Sequence, residues 1–380
     1  MTTTAAHARH TESATIGAIG AMSGTSGDGV DLAYVETDGV KTVRRRARFF
    51  LPFAVEETAA ILAAAERIAA AGQVDRDDPA VRRAEEIVTL RHEEALAAFA
   101  AEARIDMSAV SVIGMHGQTL FHDPRRGVSL QVGDPRRLAA RFGVPVASNF
   151  RLADILDGGE GAPLAPIYHR MLIGEDDLPS VVVNIGGVTN ITWLGSDGSV
   201  LGFDTGAGNG ALDRFVRDRT DRSFDEDGAL SAEGTPDLSV LASLMDDAYY
   251  AAPPPKSLDR STVLASLPDR IGAEDGAATL VAFVAAGLEA ALRHLPDGGR
   301  QVRRWIVAGG GRRNPSILAA MRARLPGDVV PIEAIGHDGD MIEAELFAVL
   351  GARRMLGISS SMLRPGGGTA EVLLGDLVRP

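Results

Sequence analysis

A glycine-rich segment near the N-terminus combines small hydroxyl side chains with two carboxylates. It reads Gly24, Thr25, Ser26, Gly27, Asp28, Gly29, Val30, Asp31 and lies between two apolar stretches, 16–21 and 30–35. Backbone N–H groups in such a turn can approach an anion closely, because glycine has no Cβ. The lysine of a Walker loop is missing, and the residues that follow alternate as in a strand. The pattern predicts a β-hairpin whose turn binds phosphate, with Asp28 and Asp31 as metal ligands. An ordinary glycine-rich hairpin is the alternative.

Three further glycine turns each follow a predicted strand. They are Gly186-Gly187, the segment with Gly206, Gly208 and Asn209, and the triplet Gly309, Gly310, Gly311. A single turn of this kind is common in any α/β protein. Four of them suggest that several loops converge on one polyanionic ligand such as a nucleotide. Taken alone, the triplet is equally well explained as a plain turn from a strand to a helix.

Asp204 is the carboxylate that we expect to be catalytic. It ends a predicted strand and is followed by small residues, which leave it open to a substrate. A carboxylate there can act as a general base on a water molecule or a hydroxyl group. The alternative is that Asp204 caps the helix predicted to begin near Ala211, although Asn209 can fill that role.

Polar residues elsewhere suggest contacts with a substrate. His116 follows a buried strand and could bind a substrate or satisfy a backbone carbonyl. Arg151 could bind a substrate carboxylate in bidentate fashion or form a structural ion pair with Asp154. Asp340 and Glu343 lie one turn apart at the start of the last predicted helix. A solvated helix start is the usual explanation for such a pair.

Composition limits the class of protein. The 380 residues are 45% apolar, which favours a globular protein with two domains. A net charge of −13 argues against nucleic acid or an anionic membrane as the main partner. The absence of cysteine excludes disulfides and thiol catalysis and is compatible with the cytoplasm.

Residues 1–15 have no signal-peptide pattern and are interpreted as a disordered leader. The longest apolar run, 277–292, is interrupted by Gly287 and Glu289, so no transmembrane segment is predicted.

Strands alternate with helices along the chain, and a hairpin opens each half, at 16–35 and 180–194. This order predicts a two-lobed α/β protein with mixed sheets, and the repeated unit suggests that the lobes are related. We expect lobe I to comprise 16–148 and 352–380, and lobe II to comprise 149–351. The ligand is expected in the cleft between the lobes.

Together the motifs resemble the anhydro-N-acetylmuramic acid kinase family of the actin/hexokinase/Hsp70-like superfamily. The resemblance extends from Ile19 to about Ala370. Its motifs are Met22-Ser-Gly-Thr-Ser-Gly-Asp-Gly-Val-Asp31, His116-Gly-Gln-Thr119, Gln131-Val-Gly-Asp134, Asn149-Phe-Arg151, Gly161-Ala-Pro163, Asn184-Ile-Gly-Gly-Val-Thr-Asn-Ile191, Gly202-Phe-Asp-Thr-Gly-Ala-Gly-Asn209, Pro255-Lys-Ser257, Gly309-Gly-Gly311 with Asn314-Pro315, and Asp338-Gly-Asp340 with Glu343-Ala344. Many motifs in one order are far more specific than any single loop.

The resemblance implies an actin/hexokinase-like ATPase fold with RNase H-like lobes and an interlobe cleft. It also implies an enzyme that opens the 1,6-anhydro bond of 1,6-anhydro-N-acetylmuramic acid and phosphorylates the 6-hydroxyl from ATP. Asp204 would activate the water, the Gly24–Asp31 segment would hold the ATP phosphates with Mg²⁺, and His116, Arg151 and Glu343 would bind the sugar. Similar family members recycle cell-wall sugars in the cytoplasm and tend to be dimers.

The chain departs from the family pattern at a few positions. Gly27 stands where relatives carry Leu or Met, Ala207 where they carry Pro, and Glu160 and Leu258-Asp-Arg260 also differ. These changes keep two alternatives open. One is a related kinase or hydrolase for another anhydro- or amino-sugar, and the other is an ATP-binding sensor without activity. Intact Asp204, Asp28 and Asp31 argue against the sensor.

Overall fold

A computed structural model describes residues 14–24, 27–254, 256, 258, 267–363 and 368–380. It divides the chain into two compact units. Unit 1 comprises Met1–Gly161, Glu343–Met362 and Glu371–Pro380, and unit 2 comprises Ala162–Ile342 and Leu363–Ala370. The expected lobe boundaries, at 148/149 and 351/352, therefore differ from the boundaries of the units.

Strands and helices alternate through most of the chain. The strands are β1 (Ile16–Ser23), β2 (Gly29–Thr37), β3 (Val43–Pro52), β4 (Val110–Asp123), β5 (Val128–Val132), β6 (Val146–Ser148), β7 (Ser180–Ile185), β8 (Val188–Leu194), β9 (Val200–Ala207), β10 (Arg304–Ala308), β11 (Asp328–Pro331), β12 (Ser360–Leu363), β13 (Thr369–Val372) and β14 (Asp376–Val378). The α-helices are α1 (Val55–Ala71), α2 (Pro79–Glu102), α3 (Pro135–Phe142), α4 (Phe150–Leu156), α5 (Ala165–Leu172), α6 (Asn209–Arg219), α7 (Ala229–Glu233), α8 (Leu238–Met245), α9 (Ala248–Ala251), α10 (Ala273–Ala291), α11 (Pro315–Arg324) and α12 (Ile342–Leu356).

Unit 1 is built on a mixed sheet with the order β14-β6-β4-β1-β2-β3, and β5 pairs with β4. The hairpin pairs β1–β2 and β2–β3 are antiparallel, whereas β4 lies parallel to both β1 and β6. Apolar residues of α1, α2 and α3 cover one face of this sheet, including Ile61, Val88 and Leu138. The predicted hairpin at 16–35 is thus confirmed.

Helix α12 packs directly on the strands of unit 1. A Cβ at Gly20 would overlap the backbone of Ala344, and a Cβ at Gly114 would overlap the carbonyl of Phe347. Glycine is therefore required for this close approach of helix and sheet. The Phe347 ring also lies 5.7 Å from the ring of Phe150 in α4, centroid to centroid. These contacts explain why both α4 and most of α12 belong to unit 1, although lobe II was expected to contain 149–351.

Unit 2 repeats the topology of unit 1. Its sheet has the order β11-β10-β7-β8-β9. Strands β7–β8 and β8–β9 are antiparallel, and β10 lies parallel to both β7 and β11. This path corresponds strand for strand, and in every strand direction, to β6-β4-β1-β2-β3. The prediction of two related α/β halves is confirmed by this duplication.

Helix α10 forms the centre of the unit 2 core. Its residues from Gly276 to Leu288 are buried, and many belong to the main apolar cluster of this unit. By length and composition the segment Ala273–His294 is apolar enough to cross a membrane, but 78% of its apolar window is buried inside the protein. Such burial is what the core helix of a globular unit shows.

Several element boundaries differ from the sequence-based expectations. Strands were expected to end at Met115 and Phe203, but β4 continues to Asp123 and β9 to Ala207. Their glycine and polar residues suggest turns, yet pairing with β5 and β8 keeps both segments extended. The sequence analysis also gave no indication of α4, which begins at Phe150.

Candidate active site

The turn between β1 and β2 is held by hydrogen bonds from both sides. Gly27 N–H donates to Gly24 O over 2.9 Å, and Thr58 Oγ1 near the start of α1 donates to Gly27 O over 2.6 Å. Phe53 N–H donates to Asp28 O over 3.0 Å. Gly27 has a φ of +65°, which favours glycine over any residue with a side chain. The candidate phosphate ligands Thr25 and Ser26 lie outside the described residues.

The two predicted metal ligands follow this turn. Asp28 is exposed, and the half-buried Asp31 lies on β2 opposite Met22 and Phe50. Within the described part of the chain, no group of three or more His, Asp or Glu side chains could hold a metal ion. Mg²⁺ in phosphate-transferring sites commonly takes one or two carboxylates and completes its coordination with phosphate oxygens and water. Carboxylates beside a phosphate-binding turn fit that donor set.

Two glycine turns of unit 2 are in direct contact. Asn209 N–H donates to Gly186 O over 2.7 Å, and Gly208 N–H donates to Gly187 O over 3.2 Å. A Cβ at Gly208 would overlap the carbonyl oxygen of Gly186, so only glycine permits this approach. The turn between β7 and β8 therefore meets the start of α6.

The glycine triplet after β10 joins the same group. Gly309 has a φ of +71° and lies against Asn184 and Ile185, while a Cβ at Gly310 would lie 3.0 Å from Asn209 Nδ2. The structure therefore brings together the predicted nucleotide residues Gly186, Gly187, Gly208, Asn209, Gly309, Gly310 and Gly311. Gly206 lies on β9, and a Cβ there would lie 3.0 Å from Tyr250 Cε1.

Asn209 does not cap α6, contrary to our expectation. The N-cap residue is Gly208, and the Asn209 side chain donates instead to Ile185 O over 3.4 Å. The reason is that α6 begins two residues before the predicted start, so Asn209 lies in the first helical turn. Its amide links the helix to the end of β7. Asn314 is the N-cap residue of α11, and its side chain accepts hydrogen bonds from the N–H groups of Ser316 and Ile317.

A buried arginine that the sequence analysis missed fixes the triplet. Arg312 Nη1 donates to Gly309 O over 2.9 Å, and Nε and Nη2 donate to Glu333 and Asp340 over 2.6 and 2.8 Å. These bonds tie the triplet to the Asp338-Gly-Asp340 motif within unit 2. Asp340 was expected to share a helix face with Glu343, but it precedes α12 and pairs with Arg312 and Arg313.

Asp204 lies within β9 and not at its end. Asn190 pairs with Asp204 and Thr189 with Gly206, so Thr205 is an extra residue that forms a β-bulge. The Asp204 Oδ2 atom accepts a hydrogen bond of 2.8 Å from Leu258 N–H, and its carbonyl accepts one of 2.6 Å from the Tyr249 hydroxyl. Bulges re-aim side chains and are common beside active sites. Asp204 caps no helix, so the alternative role is excluded.

The surroundings of Asp204 raise its affinity for a proton. Burial raises the pKa of Asp204 to about 6, and the hydrogen bond from Leu258 N–H partly opposes this shift. A general base works best when its pKa lies near the working pH. Lys256 Nζ donates to Tyr249 O over 3.0 Å and lies 4.6 Å from the centre of the Tyr249 ring. Lys256 thus supports Tyr249, which holds the Asp204 backbone. Of the two side chains that support Asp204, Tyr249 and Lys256, only Lys256 belongs to a motif noted in the sequence, Pro255-Lys-Ser257.

His116 also lies within a strand, at a second bulge. Ala21 pairs with Met115 and Met22 with Gly117, which leaves His116 as the extra residue of β4. His116 Nδ1 lies 2.9 Å from Gly117 O, and Arg151 Nε donates to His116 Nε2 over 2.9 Å. Burial, and then the charge of Arg151, holds the pKa of His116 well below its usual value. His116 is therefore neutral, with its proton on Nδ1.

Arg151 organises the predicted substrate residues of unit 1. It lies in α4 and donates to His116 Nε2 and, over 3.2 Å, to Gly161 O. Burial lowers the pKa of Arg151, and the negative charge of Glu343 opposes that change. The structure thus groups His116, Arg151 and Glu343. Asp154 Oδ2 accepts a hydrogen bond of 2.7 Å from Gly161 N–H, which shapes the same turn.

The duplicated strand path is that of the actin/hexokinase-like fold with RNase H-like units. Comparison with known families gives a more specific result. The family model for anhydro-N-acetylmuramic acid kinase matches residues 17–380. The chain belongs to this family, and the family predicted from the motifs is confirmed.

Relatives of this family match over their full length. The chain is 45% identical over 369 residues to an anhydro-N-acetylmuramic acid kinase of Acidiphilium cryptum, with 96% of this chain and 98% of the relative covered. It is 43% identical over 362 residues to one from Rhizorhabdus wittichii, with 95% of this chain and 98% of the relative covered.

Among solved structures, component A of the (R)-2-hydroxyglutaryl-CoA dehydratase of Acidaminococcus fermentans is similar, with a TM-score of 0.48 and 11% sequence identity. The alignment covers 90% of this chain and 99% of that structure's chain. A ROK family glucokinase from Streptomyces griseus in complex with glucose and AMPPNP is also similar, with a TM-score of 0.42 and 15% sequence identity. That alignment covers 89% of this chain and 99% of the glucokinase chain.

Proposed function

We propose that this protein is an ATP-dependent kinase for 1,6-anhydro-N-acetylmuramic acid. It hydrolyses the 1,6-anhydro bond and phosphorylates the released 6-hydroxyl, giving N-acetylmuramic acid 6-phosphate and ADP. Family membership over 17–380 supports this assignment. The observation that carries it is this family match, and the buried Asp204 carboxylate, whose pKa is raised to about 6 next to a bulge in β9, fits the base that the reaction needs.

Asp204 acts as the general base in this proposal. Its carboxylate takes a proton from water as the water attacks the anomeric carbon, and the bond from that carbon to O6 breaks. The released O6 then takes the γ-phosphoryl group of ATP, and ADP leaves. Phosphoryl transfer depends mostly on positioning and charge neutralisation. The hydrogen bonds from Leu258 and Tyr249 hold the base in place for this step.

The glycine turns bind the nucleotide. The unit 2 group, from Gly186 to Gly311, brings glycines together, and the lack of side chains at these positions leaves the backbone open to close approach by phosphate. The hairpin segment Gly24–Asp31, with Thr25 and Ser26, binds the phosphates of ATP. Asp28 and Asp31 would hold Mg²⁺, which neutralises phosphate charge when bound.

His116, Arg151 and Glu343 bind the sugar. The Arg151 guanidinium is suited to the lactyl carboxylate of the substrate, because it forms charge-assisted hydrogen bonds in a planar fork. Its bonds to His116 and Gly161 fix its orientation before substrate arrives. We further propose that the protein works in the cytoplasm in cell-wall sugar recycling, as a homodimer, without nucleic acid or membrane partners.

A coupled assay of ADP release tests this proposal. The purified protein is supplied with Mg²⁺-ATP and either 1,6-anhydro-N-acetylmuramic acid or plain N-acetylmuramic acid. We expect turnover with the anhydro sugar only. Turnover with a different anhydro- or amino-sugar instead would favour the related kinase or hydrolase, and ATP binding without turnover on any sugar would favour the sensor.

A further inference from the structure

Unit 1 contains a cavity whose lining includes one of the proposed sugar-binding residues, His116. Its volume is about 570 Å³, and its wall comes from α2, the β4–β5 pair, the start of α3 and the end of β6. Cavities of this size commonly hold small molecules. The cavity therefore has room for a metabolite the size of a substituted hexose.

The cavity lies mainly on the face of the unit 1 sheet that α1, α2 and α3 cover. Met115 and Val132 line it, and both belong to the apolar core under α1, α2 and α3. The neighbouring Gly114 faces α12 on the other side of the sheet, because side chains alternate along a strand. His116 contributes to the cavity wall, but its ring packs 4.5 Å from the ring of Phe347 in α12, centroid to centroid.

Ser148 gives this cavity a buried polar group that needs a partner. It is the last residue of β6, only 6% exposed, and it lines the cavity. Its Oγ atom has no hydrogen-bond partner among the described residues. A buried hydroxyl without a partner reduces stability, so such groups are usually paired with protein, water or ligand. The Oγ atom is buried from solvent, so a ligand hydroxyl could supply the missing bond once the Ser148 side chain rotates toward the cavity.

Charged residues around Ser148 define the ligand class. The cavity is lined by four arginines, Arg76, Arg82, Arg136 and Arg137, and by three carboxylates, Glu85, Glu86 and Asp134. Arg137 pairs with Glu86, and Arg76 with Glu85. In the part of the chain that the structure describes, Arg136 takes part in no ion pair within 4.0 Å. The Arg136 guanidinium is therefore available for an anion at the mouth of the cavity.

Amide groups complete the lining. Gln131 Nε2 donates to Ser129 Oγ over 2.9 Å and to Thr119 Oγ1 over 3.2 Å, so the orientation of this amide is fixed. Asn149 Nδ2 likewise donates to Asp376 Oδ2 over 2.9 Å. Amides and carboxylates held in this way are suited to sugar hydroxyls, whereas guanidinium groups are suited to phosphate.

We propose that this cavity binds a phosphorylated sugar as a ligand additional to the sugar and the nucleotide of the proposed reaction. Arg136 binds the phosphate, and Ser148 pairs with a hydroxyl group of the sugar. Asn149 and Gln131 contact the remaining polar groups. The site requires no turnover by the enzyme and can be tested independently of the proposed function.

Isothermal titration calorimetry on the full-length protein tests this site. The probe is N-acetylglucosamine 6-phosphate, added first to the free protein and, in a second titration, to protein saturated with ADP and 1,6-anhydro-N-acetylmuramic acid. We expect one probe molecule to bind per chain. Arg136→Gln should weaken binding about tenfold through loss of a charge-assisted bond, and Ser148→Ala about fivefold through loss of a neutral one. Arg125→Gln removes the same charge from an exposed turn outside the cavity and should change nothing.

Comparison probes and melting curves distinguish a phosphorylated-sugar site from a general anion site and from the catalytic site. N-acetylglucosamine and inorganic phosphate should each bind much more weakly than the phosphorylated sugar. Equal affinity for either one would overturn the proposal, as would loss of binding when the catalytic ligands are present. Ser148→Ala removes an unpaired hydroxyl and should melt no lower than the parent protein. Unchanged probe binding by folded Arg136→Gln and Ser148→Ala variants would also exclude this site.

Discussion

Units 1 and 2 share one strand path but hold their hairpin turns differently. In unit 1, the turn after β1 is held by the Thr58 side chain and by Phe53 N–H. In unit 2, the turn after β7 is held by backbone bonds from Gly208 and Asn209. A side-chain anchor can be removed without a clash, whereas a backbone anchor made possible by glycine cannot tolerate a larger residue. The unit 2 turn should therefore be the more sensitive of the two to substitution.

The units also differ in where a β-bulge lies. In unit 1 the extra residue is His116 on β4, and in unit 2 it is Thr205 on β9, next to Asp204. These strands are not equivalent in the duplicated topology. The same scaffold thus presents a neutral imidazole bound to Arg151 in one unit and a carboxylate of raised pKa in the other. In each unit, the bulge places a polar side chain within a strand whose other residues mostly contribute to the apolar core.

The largest expected effect is on the base in unit 2. Asp204→Asn should lower kcat by about a thousandfold, because general base catalysis typically contributes factors of that order. Affinity for an ATP analogue should stay nearly unchanged. ADP-release kinetics and calorimetry measure the two quantities separately.

Asp213→Asn is the matched control for that variant. Burial also raises the pKa of Asp213 to about 6, but this residue lies on α6 and has no assigned role in the reaction. We expect this control to keep most of its turnover. If Asp204→Asn retained its rate, Asp204 would not be the base.

The next effect tests the backbone anchor in unit 2. Gly208→Ala should weaken binding of an ATP analogue by more than about tenfold, because the new Cβ overlaps Gly186 O and forces the turn apart. Gly174→Ala is the control, since a Cβ there meets nothing within 4 Å and its φ is −64°. Equal affinities of the two variants would show that contact between these turns does not matter for the nucleotide.

The pH dependence of kcat reports on the same carboxylate. Asp204 must be ionised to accept a proton, and its pKa is about 6. Activity should therefore be constant above about pH 7 and fall about tenfold for each pH unit below 6. A pH–rate profile of the parent enzyme measures this. An activity that persisted undiminished at pH 5 would contradict the shifted pKa.

Much of the scaffold could be predicted from local patterns. Alternating apolar residues and glycine turns located both hairpins, and Asn314 before Pro315 located the start of α11. The glycine turns were identified as candidate nucleotide ligands from the same local pattern. These features depend on a few consecutive residues, which is why the sequence reveals them.

Features that depend on distant contacts could not be predicted. The Arg312 guanidinium joins Gly309 to Glu333 and Asp340, and no spacing in the sequence indicates those partners. Both bulges arise from pairing with a neighbouring strand, so His116 and Asp204 were expected at strand ends. The unit boundary near 342 follows from the packing of α12 on Gly20 and Gly114.

The smallest expected effect tests the side-chain anchor in unit 1. Thr58→Val keeps the shape of the side chain but removes the hydrogen bond to Gly27 O, which is 2.6 Å long. Such a bond contributes about 1 kcal/mol, so KM for ATP should rise about fivefold with little change in kcat. Thr58→Ser keeps the hydroxyl and should restore the parent value. If Thr58→Val were as damaging as Gly208→Ala, the two turns would be equally sensitive, and the contrast between side-chain and backbone anchoring would fail. If the serine variant were as weak as the valine variant, the methyl group and not the hydrogen bond would hold the turn.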